Sequence, residues 1–362
     1  MGRGRRSRRR GSGRWGSGRW ARRLGGGLAA VLAGVVLSGC AAFDTEDDER
    51  WARELAEELY PGELEVVGAR ILFPQSAGSE VTLSLADDPD AAVRFRVDAS
   101  KDHCDGGANC AEALGRAIER ARLEAGRLRA MRDAFDGCGR PVVATDVTLS
   151  APWIEARVTD GTVDEVLTGV GACVQRWVTA RAAGEPSARI ASVSVNFAAP
   201  GTAGDLPAAK SALPTVPRFT HGPRLAALAS DAYYVATYEV GSDAARTVDV
   251  ASARLRIVSP LEERQEFSRR IDAAVLPLLR ARYPDAVTTG ISGLGVWRLE
   301  PGTIERTRGY VLFCARPPAG TERCLGDLAA VVTADPKGGD AALVTVRTDI
   351  RDERGVLRLP PL

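Results

Sequence analysis

The most chemically suggestive stretch of the chain is "DHCDGG", which contains one of only two histidines. It brings four potential metal ligands together: Asp102, His103, Cys104 and Asp105. Their spacing fits no zinc site, and a cysteine that is oxidised to a disulfide cannot bind a metal. The glycines that follow, and the nearby Cys110, favour a turn closed by a disulfide. We therefore predict no metal site here.

Nucleophilic catalysis and nucleotide binding have no local signature either. No Gly-x-Ser-x-Gly elbow occurs after residue 39. The second histidine, His221, lies in a proline-rich stretch, which disfavours a catalytic triad built around it. The sequence "GISGLG", residues 290–295, matches neither the dinucleotide fingerprint nor a phosphate loop and indicates a bend in a strand. We assign no catalytic residue and no cofactor.

Tyrosines offer a possible binding surface in "AYYVATYEV". If this segment is a strand, Tyr234 and Tyr238 lie on one face and Tyr233 lies on the other. A tyrosine presents a broad apolar face and a polar tip, which suits ligand contact. Tyrosines are equally typical of half-buried strands. Tyr234 and Tyr238 are therefore candidate ligand contacts, with a purely structural role as the alternative.

The start of the chain predicts export and anchoring. A basic segment, residues 1–23, precedes 15 uncharged and mostly apolar residues that are too few to span a membrane. At their end Leu37-Ser38-Gly39-Cys40 resembles the lipobox of bacterial lipoproteins at all four positions. In that family the cysteine thiol receives a diacylglyceryl group, and the signal peptide is removed just before it. The resemblance implies that residues 1–39 are a signal peptide and that Cys40 is the lipidated N-terminus.

The same resemblance implies a location: the extracytoplasmic face of the cell membrane, with the acyl chains as the anchor. It covers only the signal segment and implies no activity for the rest of the chain. The alternatives are an ordinary secretory signal and, for the export route, either the general or the twin-arginine pathway.

Lysine is scarce, with three residues among 48 basic ones, which is typical of a GC-rich genome such as that of an actinobacterium.

Charge excludes one class of partner. The chain has 48 basic and 47 acidic side chains, but residues 1–39 contain ten of the arginines and no acid. The remaining 323 residues therefore carry 38 basic and 47 acidic side chains, a net charge of −9. An acidic protein is a poor ligand for the phosphate backbone, so we expect no nucleic-acid partner.

Cysteine usage agrees with an oxidising compartment, because six cysteines remain beside Cys40 and an even number predicts disulfides. They are Cys104, Cys110, Cys138, Cys173, Cys314 and Cys324. Cys104 and Cys110 flank a glycine turn. Cys314 and Cys324 flank a predicted hairpin loop. Position therefore predicts these two pairs, which leaves Cys138 to pair with Cys173 between two helices.

The pattern of elements predicts an α+β fold, with antiparallel sheets and helices packed on one face, because predicted strands come in consecutive runs. The length favours two domains. The predicted boundaries are 40–197 for an N-terminal domain, 198–223 for a proline-rich linker and 224–362 for a C-terminal domain. Both domains contain a helix, a Tyr-Pro turn and then strands, at Tyr60-Pro61 and at Tyr283-Pro284. This is a weak indication of internal duplication.

Two classes of function follow. The first is a lipid-anchored, non-catalytic module that binds an envelope protein or a small ligand. The second is a lipid-anchored envelope hydrolase. Since no activated nucleophile or metal signature is found, the first is preferred.

Overall fold

The computed structural model describes residues 45–73, 77–105, 109–242, 246–292, 295, 297–317, 323–360 and 362. Cys40 and its lipobox lie outside these residues, so lipid anchoring stays a prediction. The residues from Glu46 to Leu362 form one compact unit.

The first part of this unit is a helix followed by an antiparallel meander. Helix α1 (Glu46–Leu59) ends at the Tyr-Pro turn. Strands β1 (Leu64–Ile71), β2 (Ser79–Leu85), β3 (Ala92–Asp98) and β4 (His103–Cys104) then pair in chain order. The alternation of apolar and charged residues from Val93 to Asp98 predicts a strand with one buried face. Val93, Phe95 and Val97 are buried and Arg94 and Arg96 are half-exposed, as predicted, whereas Asp98 at the end of the strand is also buried.

Helix α2 (Cys110–Asp136) covers the buried face of this meander together with α1. Asn109, with Glu112 three residues later, predicts a helix start of the capping-box type. Asn109 is the N-cap of α2, and its side-chain oxygen accepts a hydrogen bond from the amide of Ala111 at 3.0 Å. The buried residues of α2 recur every three or four positions, which places one apolar stripe on the sheet.

The second sheet contains β5 (Val142–Thr145), β6 (Pro152–Glu155), β7 (Ser192–Ala198), β8 (Tyr233–Val240) and β9 (Val248–Val258), in that order. Its pairs are antiparallel except for β6 with β7. Helix α3 (Val163–Gly184) connects these two strands, since parallel neighbours need a crossover connection. The ring centroids of Phe135 in α2 and Trp177 in α3 lie 6.2 Å apart.

The predicted linker, residues 198–223, connects two neighbouring strands of one sheet, because β7 pairs with β8. It and the residues just after it form three short helices, α4 (Thr202–Asp205), α5 (Thr215–Phe219) and α6 (Gly222–Leu228). The amides of Thr215 and Val216 donate to the carbonyls of Pro89 and Asp90 at 3.2 and 3.1 Å. The proline-rich segment thus packs on the first part of the chain. The number of domains and their boundaries stay predictions.

The last part is again a helix followed by a meander. Helix α7 (Leu261–Arg280) precedes five strands: β10 (Val287–Thr288), β11 (Trp297–Leu299), β12 (Thr307–Cys314), β13 (Leu328–Ala334) and β14 (Ala342–Arg347). Strand β12 pairs with β10, β11 and β13, and β13 pairs with β14. One face packs on α7 and the other on the C-terminal tail, where the hydroxyl of Tyr310 donates to the carbonyl of Pro360 at 2.9 Å.

Helices combined with mainly antiparallel sheets confirm the predicted α+β fold class. The two Tyr-Pro turns also share their hydrogen bonds. In each, the tyrosine amide donates to the carbonyl four residues earlier at 2.8 Å. Each tyrosine carbonyl accepts from the amide three residues later, at 3.0 Å for Tyr60 and 2.9 Å for Tyr283. Internal duplication itself stays a prediction.

Candidate ligand-binding cleft

A cleft of about 520 Å³ lies between the end of β9, the first half of α7 and strands β11 and β12. This volume is within the range of small-molecule sites, about 300–1,000 Å³. The turn between β13 and β14 forms its remaining side through Pro336 and Lys337. Four segments that are distant in sequence therefore converge here, and we name this site the α7 cleft.

Unpaired cations line the α7 cleft. Arg256 at the end of β9, Arg264 in the first turns of α7 and Lys337 are all exposed. Within the described part of the chain, none of their charged groups forms an ion pair or a hydrogen bond. Two glutamates also line the cleft. Glu266 forms an ion pair with Arg270 at 2.9 Å, whereas Glu263 has no ion-pair partner among the described residues. The cleft is therefore locally positive in a chain whose body is acidic.

The N-terminus of α7 adds a further positive element. The sequence favours a capping box at Ser259 with Pro260 as the first helical residue, but the structure corrects this. Pro260 is the N-cap, and no side chain caps the helix. The first amides of a helix have no intrahelical acceptor and carry the positive end of the helix dipole. Ser259 and Glu263 of this turn line the cleft, so these amides border it.

A fixed aromatic wall forms the apolar side of the cleft. The rings of Trp297 and Phe267 meet edge to face, with centroids 4.9 Å apart and an interplanar angle of 84°. The indole Nε1 of Trp297 donates to the carbonyl of Ser292 at 2.8 Å. The indole lies directly over Gly309, where a Cβ would be only 2.3 Å from Cδ2 of the ring. Glycine at this position therefore allows the tryptophan to lie against β12.

The turn beside Lys337 is held against α7. Gly338 has a φ of +86°, and a Cβ there would be 3.2 Å from both Cδ2 and the carbonyl oxygen of Phe267. Asp335 accepts hydrogen bonds from the amides of Lys337 and Gly339 at 2.7 and 2.9 Å. A defined backbone thus positions the Lys337 side chain. The α7 cleft can bind an anion beside an aromatic surface.

The tyrosines predicted as ligand contacts lie elsewhere. Tyr238 is fully buried, and its hydroxyl donates to the carbonyl of Leu167 at 2.9 Å. Burial raises the pKa of this hydroxyl. Tyr234 is half-buried on the same face and packs on the main core. Tyr233, on the opposite face, lies nearer the cleft: burial raises its pKa, and the charges of Arg256 and Arg264 oppose that rise.

The histidines are not part of a catalytic group in the described residues. Nδ1 of His103 lies 2.6 Å from the carbonyl oxygen of Lys101. His221 is the N-cap of α6, and its Nδ1 is buried with no partner among the described residues. Neither ring is hydrogen-bonded to a serine, cysteine or acidic side chain in that part of the chain. Residues 293 and 294 of "GISGLG" lie outside the described residues.

Two of the three predicted cysteine pairs are disulfides. Cys104 is bonded to Cys110 and Cys314 to Cys324. Cys138, just after α2, and Cys173, within α3, are free thiols, and each donates to the carbonyl four residues earlier, at 3.2 and 3.4 Å. The two thiols are nevertheless neighbours. Burial, reinforced by the adjacent Cys138 thiol, raises the pKa of Cys173 to about 12.

Sequence reasoning missed the α7 cleft because its residues share no motif. No local signal marks the cleft, because the sequence favours a capped start of α7 at Ser259. Within the described residues, no group of three or more potential ligands could hold a metal ion, and no helix is long and apolar enough to cross a membrane.

Comparison with known proteins gives no match to a family model, to a curated protein or to a solved structure.

Proposed function

We propose that this protein is a lipid-anchored, extracytoplasmic binding module whose α7 cleft takes a small anionic ligand with a flat apolar part. The cleft supports this class of ligand because it combines three unpaired cations with an aromatic wall and an uncapped helix N-terminus. Arginine suits oxyanions because its planar group donates several hydrogen bonds at once, and helix N-termini favour anions.

The anchoring part of the proposal rests on the lipobox at Cys40 and on the two disulfides. Disulfides persist in oxidising compartments, which supports export. We include a third disulfide, Cys138–Cys173, in this proposal. Two neighbouring thiols in an exported protein are in position to form one.

A binding role is preferred to the alternative of an envelope hydrolase. In the described residues the cleft contains arginines, a lysine, aromatic rings, two glutamates, a serine and a threonine, but no histidine or cysteine. The hydroxyl of Thr307 donates to the carbonyl of Ala334, and among the described residues neither Ser259 nor Thr307 is hydrogen-bonded to Glu263 or Glu266. The cleft therefore has groups that bind and orient an anion, without a nucleophile paired to a general base.

The ligand class is testable with 8-anilinonaphthalene-1-sulfonate, an aromatic anion whose fluorescence rises in apolar sites. The folded body, residues 45–362, should bind it saturably. Arg264→Gln and Arg256→Gln should each weaken binding about tenfold or more, the effect of losing a hydrogen bond to a charged group. Because these arginines are exposed, the affinity should also fall as salt is added.

The matched control is Arg53→Gln, which removes an exposed and unpaired arginine from α1 in the first helix-and-meander part. It should bind the dye as the unchanged protein does. Gly309→Ala tests the aromatic wall, since a Cβ there overlaps the indole. It should weaken binding without altering any charge. Equal binding by the two cleft arginine variants and the Arg53→Gln control would contradict the assignment.

Anchoring is tested independently with Cys40→Ala in the full chain. We expect the unchanged protein to remain with the membrane fraction and to incorporate labelled fatty acid. The Cys40→Ala protein should lose the label and either appear in the medium or accumulate as the unprocessed precursor. A variant that is processed and held at the membrane like the unchanged protein would refute lipid anchoring while leaving the cleft proposal intact.

A further inference from the structure

A second basic feature lies on the face of β11 opposite the α7 cleft. Arg298 and Arg308 are direct partners across the antiparallel β11–β12 ladder. The neighbouring pair is Trp297 with Gly309, which belongs to the cleft. Because successive side chains of a strand point to opposite faces, the two arginines face away from the cleft.

This arrangement is unfavourable for two arginines alone. Like charges directly opposite each other on a ladder destabilise it. Nη1 of Arg298 and Nε of Arg308 are both buried and have no hydrogen-bond partner among the described residues. An unsatisfied buried donor on a charged group is costly.

The surroundings do not neutralise the pair. Burial lowers the pKa of Arg298, and the positive charges of Arg254 and Arg256 lower it further, against a smaller opposing effect of Glu239. Glu239 is itself 3.6 Å from Arg254. In the described part of the chain, neither Arg298 nor Arg308 forms an ion pair.

We propose that a small oxyanion, such as a phosphate or sulfate group, binds between Arg298 and Arg308. One oxyanion can accept from both guanidinium groups, satisfy the buried donors and offset the positive charges of Arg254 and Arg256 that act on Arg298. Both arginines of this site are half-buried, which suits a small anion. Its two side chains lie on the face of β11 opposite Trp297, although the charge of Arg256, which lines the α7 cleft, also acts on Arg298.

The test uses orthophosphate and the thermal unfolding midpoint of the folded body. Chloride at equal ionic strength is the reference condition. All proteins carry Arg264→Gln, so that the contribution of the cleft is weakened. Orthophosphate should still raise the midpoint in this background. The rise should disappear when Arg298→Gln or Arg308→Gln is added, and the double variant should show no further loss. Arg53→Gln, the matched control, should keep the full rise.

The same variants separate this site from the cleft. Arg298→Gln should leave 8-anilinonaphthalene-1-sulfonate binding within about twofold of its original affinity. A phosphate effect that survives in the Arg298→Gln and Arg308→Gln proteins would show a non-specific salt effect and overturn the proposal. Loss of the phosphate effect with Arg264→Gln alone would assign phosphate to the cleft and overturn it as well.

Discussion

The two helix-and-meander regions, α1 with β1–β4 and α7 with β10–β14, have the same layout and differ in what covers their sheets. Each begins with a helix that ends in a Tyr-Pro turn, and each contains one short-range disulfide. In the first region α2 joins α1 on the sheet, and the core continues into the second sheet. In the second region α7 is the one helix among the described residues that packs on the corresponding face.

The two helix starts show the consequence of this difference. The first turn of α1 is acidic, and the buried carboxylate of Asp48 accepts a hydrogen bond from the amide of Ala99 at 2.8 Å. This bond satisfies the amide of Ala99 and ties the start of α1 to the residues after β3. The first turn of α7 is also acidic, through Glu262 and Glu263, but it has no side-chain cap and borders exposed arginines. The polar groups at the start of α7 therefore stay exposed, whereas an acid at the start of α1 is buried against the rest of the chain.

The largest expected effects come from removing the central phenylalanine of each meander. Phe95 and Phe313 are both buried, at 2% and 0% exposure. Replacing either with alanine should lower the free energy of unfolding by about 3–5 kcal/mol, because a cavity remains. Denaturant unfolding followed by circular dichroism measures this.

The same pair of variants tests the domain count. If the two regions unfold as one unit, both variants should shift a single transition by similar amounts. If Phe313→Ala shifts a separate transition and leaves the rest unchanged, the C-terminal region is a domain of its own. Its boundary would then be sought between β9 and α7 instead of at residues 198–223. Most of the main core precedes that point, although Leu299 of β11 also belongs to it.

Loss of a Cys138–Cys173 disulfide between α2 and α3 should give the next largest decrease in the free energy of unfolding. Closing Cys138–Cys173 restricts a loop of 36 residues, worth about 4 kcal/mol in the unfolded chain, against about 2–3 kcal/mol for each short-range disulfide. Non-reducing peptide mapping of protein purified from the envelope should find the Cys138–Cys173 peptide. A Cys138 that reacts with a thiol reagent in the unreduced, denatured protein would contradict the third bond.

Substitutions at the two helix starts should lower the free energy of unfolding by smaller and unequal amounts. Asp48→Ala leaves the amide of Ala99 without its acceptor and should cost about 1–2 kcal/mol. Glu262→Ala removes an exposed acid with no partner among the described residues and should change stability by less than about 0.5 kcal/mol. Urea unfolding of both variants compares them, and equal losses would show that the two helix starts are not distinguished as we describe.

Sequence patterns predicted the local elements well, for physical reasons. The strand at Val93–Val97 alternates because one face is buried, and the long helix from Cys110 shows its cap and its stripe. The two cysteine pairs close in sequence were also correct, because short turns leave little choice of partner. Each of these signals is contained in a short segment.

Contacts between distant segments have no comparable signal in the sequence. Residues 198–223 resemble a linker by composition, and their amides bond to the turn at Pro89 and Asp90. The α7 cleft depends on Arg256, Trp297 and Lys337, which only the folded chain brings together. Tyr238 is a candidate ligand contact by residue type, and its neighbours in the fold bury it completely.

The most direct test of the α7 cleft compares one tryptophan from each region. Trp297 lines the cleft, and Trp51 packs on the core from α1. Indole ¹H–¹⁵N signals of the folded body, assigned with Trp297→Phe and Trp51→Phe, should be followed during titration with 8-anilinonaphthalene-1-sulfonate. We expect the Trp297 signal to shift saturably and the Trp51 signal to stay in place. A stationary Trp297 signal, or equal shifts of both, would contradict ligand binding in the cleft.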